Sequence, residues 1–439
     1  MRTKSNGRNN WLPAILLAVT SLYITADLVA QQSGIDEAVR KFESEIVRLR
    51  EQIHQNPELP NREFKTAALV AGHLRALGME VTTGVAHTGV IGLLRGGKPG
   101  PVVAVRADMD ALPVTEDTPF PFKSTVRTMY LGKEVGVMHA CGHDIHTAVQ
   151  LGVASVLSSM RDELPGTVKF IFQPAEEGAP PGEEGGAQLM FDEGVLDNPR
   201  PGAIFGLHAL AGMDVGKTGF TTGPALAAVD HFTITLRGKQ AHGASPHTSI
   251  DPIVMGAQAV MALQTIRSRT LPPLEPSVVT VGIFRSGERF NIIPAEVYME
   301  GTVRTYDEKV RDTIEQRMTE ILDGITQAYG GSYTMDYNRG TPATINDPSL
   351  AEKMLPALER LVGKENLMTL EPTMGGEDFA VFANEIPGFF LRLGQNKPGT
   401  VSGGHHTPTY QADNSCIAVG MRIMSTLLLD YLSSGGIEK

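Results

Sequence analysis

In its first half the chain carries short, continuous apolar runs that stop on charged or polar residues. Gly89–Leu94 (GVIGLL) and Pro101–Pro113 (PVVAVRADMDALP) read as buried strands, the second running out into Asp108 and Asp110. HACGHD follows, and Thr147–Met160 then sets small and apolar residues at helical spacing. Thr167–Phe172, within TVKFIFQPAEEG, predicts another buried strand that leads into two glutamates. AIFGLHAL predicts a further short strand with His208 near its end. Buried strands alternating with helices predict the α/β class, a mostly parallel sheet flanked by helices. Sites in such sheets lie at the carboxyl ends of strands, where these polar residues fall.

From about Ala227 the pattern changes. DHFTITLRG alternates apolar and polar like a half-exposed strand, and Pro252–Arg267 reads as a helix. SVVTVGIF and AEVYMEGTVRT predict strands, Glu308–Ala328 an amphipathic helix, and SYTMDY a last strand. The order βαββαβ suits a small α+β unit with one sheet face open to solvent. RGTPATINDP then reads as a return linker. The expected organisation is a catalytic domain over residues 31–226 and 338–439, interrupted by an inserted lid and dimerisation domain over residues 227–337.

A length of 439 residues favours more than one domain, and 41% hydrophobic with 20% charged residues is ordinary for a packed protein. A formal charge of −11 argues against nucleic acid or an anionic membrane as partner. Arg2, Lys4 and Arg8 precede an apolar run from Trp11 to Ile24, and LVAQQ offers Ala30 as a cleavage point. That is the layout of an export signal over residues 1–30, with a retained N-terminal anchor as the alternative. The expectation is a periplasmic or secreted protein with no stable membrane anchoring after cleavage. No other stretch reads as apolar for long enough to cross a bilayer.

The chemistry concentrates in HACGHDIHTA, which holds one of only two cysteines. In an oxidising compartment a Cys141–Cys416 disulfide is one reading, and metal ligation of Cys141 is the sharper one. Five candidate ligands stand near predicted strand ends or in polar clusters: Cys141, His143, Glu177, His208 and His406. Imidazole and thiolate favour zinc-like ions, with manganese or cobalt also compatible. Five ligands exceed the three of one catalytic zinc but suit two divalent ions if Cys141 bridges them. Two such ions roughly 3.5–4 Å apart would polarise an amide carbonyl and activate a water. Glu176, beside Glu177, is the candidate general base.

Taken together, LREQIHQNPELPNREFKTA, VRADMDALP, MHACGHDIHTA, QPAEEG, GLHAL, GKQAHGASPHTSIDPI, FNIIPAEVYMEGTVRT, GGEDFAVF and HHTPTY resemble the dinuclear-metal aminoacylase and carboxypeptidase family. The branch most similar holds hippurate hydrolases, N-acyl-amino-acid amidohydrolases and indole-acetyl-amino-acid hydrolases, and the similarity runs from about Val47 to the C-terminus. The resemblance implies the same five ligands, with His406 rather than His405 in the last place, and Glu176 as general base. It implies Asp110 as an acid that orients the site and His242 as a lid histidine reaching the partner subunit's site. Asn291 and Arg304 match lid residues that hold substrate carbonyl or carboxylate, and Arg339 is a further candidate for the carboxylate. The implied activity is hydrolysis of an N-acyl amino acid with a free carboxylate, with a carboxypeptidase or dipeptidase as the alternative, in a homodimer. Two segments depart from the family pattern: EEGAPPGEEGGA and FKSTVRTMYLGKEVGVMHACG are both extended.

Overall fold

The computed structural model describes residues 12–436, with side chains described from Ala30 onwards. The basic residues of the leader reading, Arg2, Lys4 and Arg8, lie outside the described residues. The long helix Leu12–Gln55 puts Ile35, Val39, Ile46 and Ile53 into the main core, an apolar stripe at helical spacing.

The larger sheet has eight strands. Four of them, Pro165–Gln173, Lys98–Asp108, Ile204–Asp214 and Gly388–Asn396, run parallel at its centre. Glu80–Val85 and Gly89–Arg95 add an antiparallel hairpin at one edge, and Thr218–Phe220 with Leu367–Thr369 close the other. The central strands are buried on both faces, which explains why they read as continuous apolar runs. Val103, Val105, Phe205, Phe389 and Leu391 face one core with the helices Leu12–Gln55, His143–Ser159 and Ser415–Ser433. Ala104, Ile204 and Phe390 face a second core with the short helices Gly186–Asp192 and Phe379–Ala383. Continuing that second parity towards the carboxyl ends gives Arg106, Asp108, His208 and Arg392.

The inserted segment forms a four-stranded antiparallel sheet in the order Ser277–Arg285, Glu296–Thr305, Ala228–Arg237, Ser332–Arg339. Phe232, Ile234 and Leu236 alternate into a separate core against the helices Pro252–Thr265 and Glu308–Tyr329. Asp251 and Asp307 cap those helices by accepting backbone N–H bonds, and Gly330 ends the second at φ 72°. The first helix gives way at Ile266 to a π turn that carries the helical run through Arg267 to Thr270.

Three expectations need correction. The helix after HACGHD begins at His143, not Thr147, because Gly142 turns the chain at φ 95° and the helix starts directly behind it. The return linker contains a strand, Thr344–Asn346, paired antiparallel with Gly223–Leu226, so both crossings to the inserted unit run side by side. Ser415–Ser433 is long and apolar enough to span a bilayer by length and composition, but it is a core helix that packs Ile417, Met421, Met424 and Leu428 against the sheet.

Candidate metal centre

The Cys141–His143 turn depends on Gly142. A Cβ there would lie 2.6 Å from the Tyr410 hydroxyl and 3.2 Å from the Ala209 Cβ, and the left-handed φ disfavours any side chain. Behind the turn, Asp144 accepts from Arg50 at 2.7 Å and His54 at 2.8 Å, pinning the new helix to the long N-terminal one. His146, the third histidine of the motif, has both nitrogens engaged. Its Nε2 accepts from the Ala209 amide at 2.8 Å, so Nδ1–H donates to Asp108 at 2.6 Å. It ties two strands together rather than offering a lone pair. His139 is buried with neither ring nitrogen hydrogen-bonded, and burial pushes its pKa down to about 4.

Around Cys141 the fold gathers all five candidate ligands. Donor atoms of Cys141, His143 and His208 lie within 4.8 Å of one another, and so do those of Cys141, Glu177 and His406. Cys141 therefore belongs to both groups. Its sulfur is 3.5 Å from His208 Nε2, and His406 Nε2 is 3.0 Å from Glu177 Oε1. The outer nitrogens set the tautomers. His143 Nδ1–H donates to the Asp110 carbonyl at 2.9 Å and carboxylate at 3.2 Å, and His208 Nδ1–H to the Ala209 carbonyl at 2.8 Å. Each Nε2 is left as a lone pair facing the group, and that of His143 is buried with no hydrogen-bond partner. Burial pushes the Cys141 thiol up to about 12, so a thiolate here requires a cation beside it. An unpartnered imidazole nitrogen, a thiol that needs a cation and a flanking carboxylate suit a pair of divalent ions.

The glutamates are held from behind. Asp110, almost fully buried, accepts from the amide of Glu176 at 3.1 Å and of Glu177 at 3.0 Å, while also holding His143. Glu63 accepts from the Ala175 amide at 3.0 Å, and Ala175 itself sits at φ 53°, a costly value for a residue with a Cβ. One carboxylate thus orients a histidine and both glutamates. Burial, then the neighbouring Glu377, Asp378 and Glu177 charges, raise the Glu176 pKa well above the ordinary carboxylate range.

Two roles escaped the sequence reading, that of His405, weighed there only as a ligand, and that of Arg106. His405 Nε2 accepts from the Ala211 amide at 3.0 Å, which leaves its Nδ1–H 3.7 Å from the Cys141 sulfur as a donor. Arg106 is buried and reaches Asp108 at 2.8 Å, Glu377 at 3.0 Å and Asp378 at 2.7 Å. The one hint in the sequence was an arginine inside an otherwise apolar strand.

Among the described residues, none of the lid candidates is in the donor groups around Cys141. Ala241–His242 and Ile292–Ile293 form a two-stranded ribbon, and the Gly243 amide donates to the Asn291 carbonyl at 2.8 Å, so His242 and Asn291 are neighbours. His242 is exposed, its Nδ1 accepting from the Ala244 amide at 3.0 Å, and the donor groups around Cys141 among the described residues do not include it. Arg304 has no carboxylate within 4.0 Å among the described residues, and its guanidinium lies 3.6 Å from where a Gly376 Cβ would stand. Arg339 is already paired with acids of one helix, Glu315 at 2.6 Å, Asp312 at 2.7 Å and Glu308 at 3.9 Å.

The two extended segments meet. Arg127–Tyr130 and Lys133–Gly136 form a hairpin, and Val126, Met129, Tyr130, Pro180 and Pro181 line a cavity of about 500 Å³. Its floor residues Leu59 and Val137 cluster with Ala111, next to Asp110.

Residues 104–430 match the sequence profile described as Peptidase family M20/M25/M40. The chain is 43% identical over 312 residues to an N-acyl-L-amino acid amidohydrolase of Geobacillus stearothermophilus, covering 71% of this chain and 80% of that protein. It is 38% identical over 397 residues to thermostable carboxypeptidase 1 of Saccharolobus solfataricus, covering 90% and 97%. Among solved structures, the Bacillus subtilis YXEP protein, described as a dinuclear metal binding peptidase, superposes with a TM-score of 0.76 at 34% identity, covering 90% of this chain and 99% of that one.

Proposed function

This chain belongs to peptidase family M20/M25/M40, a metal-dependent hydrolase, and on that premise we propose that it cleaves the amide bond of N-acyl amino acids bearing a free carboxylate. The observation that carries the reading is Cys141 shared by two donor triads, with Glu176 held next to them by Asp110. Cys141, His143, Glu177, His208 and His406 would hold two divalent ions, zinc by the softness of thiolate and imidazole. Bound there, the ions supply Lewis-acid polarisation of the scissile carbonyl and a water acidic enough to attack it.

The chain's own residues do the rest. Glu176 takes the proton of the attacking water and returns it to the departing amide nitrogen. Asp110 keeps Glu176, Glu177 and His143 in register through the reaction. Arg304 and Asn291 hold the substrate from the lid, and the partner subunit's His242 polarises the carbonyl in an exported homodimer. Peptide substrates are the second reading, favoured by the cavity that the two extended segments build and by the carboxypeptidase among the relatives. A panel of N-acyl amino acids and dipeptides, assayed with metal analysis, tests both. Turnover of the first set with two metals bound supports the proposal, turnover confined to dipeptides supports the second reading, and a metal-free active enzyme overturns both.

A further inference from the structure

The strand Gly388–Asn396 brings a second guanidinium to the metal centre. Arg392 is the register partner of His208 in the parallel pair, so both side chains leave the sheet on the same face. His208 Nε2 lies 3.5 Å from the Cys141 sulfur. The Phe390 ring, two residues back on that face, lies 5.4 Å from the guanidinium carbon and supports its plane. Glu377 and Glu176 act on it electrostatically from beyond 4.0 Å.

What distinguishes Arg392 is its lack of a counter-ion. Among the described residues no carboxylate comes within 4.0 Å of it, whereas Arg106 on the same face has three at 2.7–3.0 Å. The nearby acids are committed elsewhere. Glu377 pairs with Arg106 at 3.0 Å and accepts from the Phe379 amide at 3.0 Å. Asp378 binds Arg106, Gln173 and the Ala187 amide at 2.7–2.8 Å. A half-buried guanidinium with no carboxylate partner is free to take one, and its planar fork matches a carboxylate.

We propose that Arg392 is a substrate-positioning residue, receiving the free carboxylate of the amino-acid portion from the catalytic unit of the same chain. The inference rests on the amidohydrolase reading. It makes recognition of the carboxylate a property of the strand paired with the one that carries His208, not of the lid alone.

The test compares N-acetyl amino acids with their carboxamides on wild type, Arg392→Met, Arg392→Lys and Arg304→Met. Metal content and melting temperature establish that each variant is folded. Arg392→Met should lower kcat/KM for the acids about 10- to 100-fold, mainly through KM, and leave the carboxamides within about threefold. Arg392→Lys should fall between. Equal losses on acids and carboxamides, or loss of discrimination in Arg304→Met alone, would overturn the assignment. A second readout is independent of turnover: thermal stabilisation of each variant by free L-amino acids against their amides. Wild type should favour the acids and Arg392→Met should not. If Arg392→Met keeps that preference the proposal is wrong. If wild type shows the preference but cleaves no member of the panel, the amidohydrolase reading fails and the carboxylate site stands.

Discussion

Replacing Asp110 by asparagine probes how the centre is organised without touching a proposed ligand. The carboxylate accepts three N–H groups, from Glu176 at 3.1 Å, Glu177 at 3.0 Å and His143 at 3.2 Å. Asparagine keeps one acceptor oxygen. If that oxygen faces Glu176 and His143, the amide NH2 faces the Glu177 N–H, donor against donor. One charge-assisted bond of about 1.5–3 kcal/mol is lost, and the two that remain weaken towards the about 0.5–1.5 kcal/mol of neutral bonds. The lost bond alone corresponds to about 10- to 150-fold in an equilibrium that needs the turn ordered. That overlaps the 10- to 100-fold typical when the residue behind a metal ligand is changed. Competition with a chelator of known affinity should therefore show Asp110→Asn binding its metals about 10- to 100-fold more weakly. Saturating metal should restore occupancy and only part of kcat, because Glu176 hangs from the same carboxylate. Metal affinity within twofold of wild type, with unchanged kcat, would refute the argument that one acid positions all three groups.

Four further outcomes follow from the same geometry. Glu176→Gln should retain both metals yet lose at least about a hundredfold in turnover, and normal turnover in the metal-replete variant would remove its role as base. Cys141→Ser should weaken at least one metal and abolish most activity, since a hydroxyl is a poorer anionic ligand than a thiolate; full activity with two metals bound would exclude the bridging role. Arg106→Leu strands three buried carboxylates, so denaturant unfolding should show a loss of about 3–5 kcal/mol, and an unchanged midpoint would mean that those acids are held otherwise. Mixing inactive His242→Ala with inactive Glu176→Gln under subunit exchange should restore activity in hybrid dimers, and no recovery despite proven exchange would place His242 on its own chain's reaction or on none.

The elements were largely legible because burial leaves a periodic trace. Thr167–Phe172 read as a buried strand because both its faces are covered, and the structure extends it only to Pro165–Gln173. Ala228–Arg237 read as half-exposed because one face alone packs on helices. The start at His143 was missed because histidine and aspartate carry no apolar signal, and the cause of that start, a left-handed Gly142, is a backbone fact. The hairpin Arg127–Tyr130 with Lys133–Gly136 was likewise seen only as extra length, its strands being short and polar.

Residue type and local spacing were sufficient by themselves to nominate a soft, anionic, imidazole-rich centre, because Cys141 and His143 are neighbours on one turn and Glu176 and Glu177 on another. Which nitrogen of each histidine is free could not be read that way. His146 stands in the same motif as His143, yet the Ala209 amide and Asp108 consume it, while His143 keeps a lone pair because Asp110 takes only its Nδ1–H. His405 and His406 are adjacent, and an amide of a distant strand separates their roles. Arg392 and Arg339 look equally available as letters, but three acids from one helix pair with Arg339, while among the described residues no carboxylate lies within 4.0 Å of Arg392. Ligand chemistry is intrinsic to a side chain, whereas availability depends on who occupies its hydrogen-bonding positions, and those occupants come from residues far away in sequence that only the packed sheet brings within 3 Å.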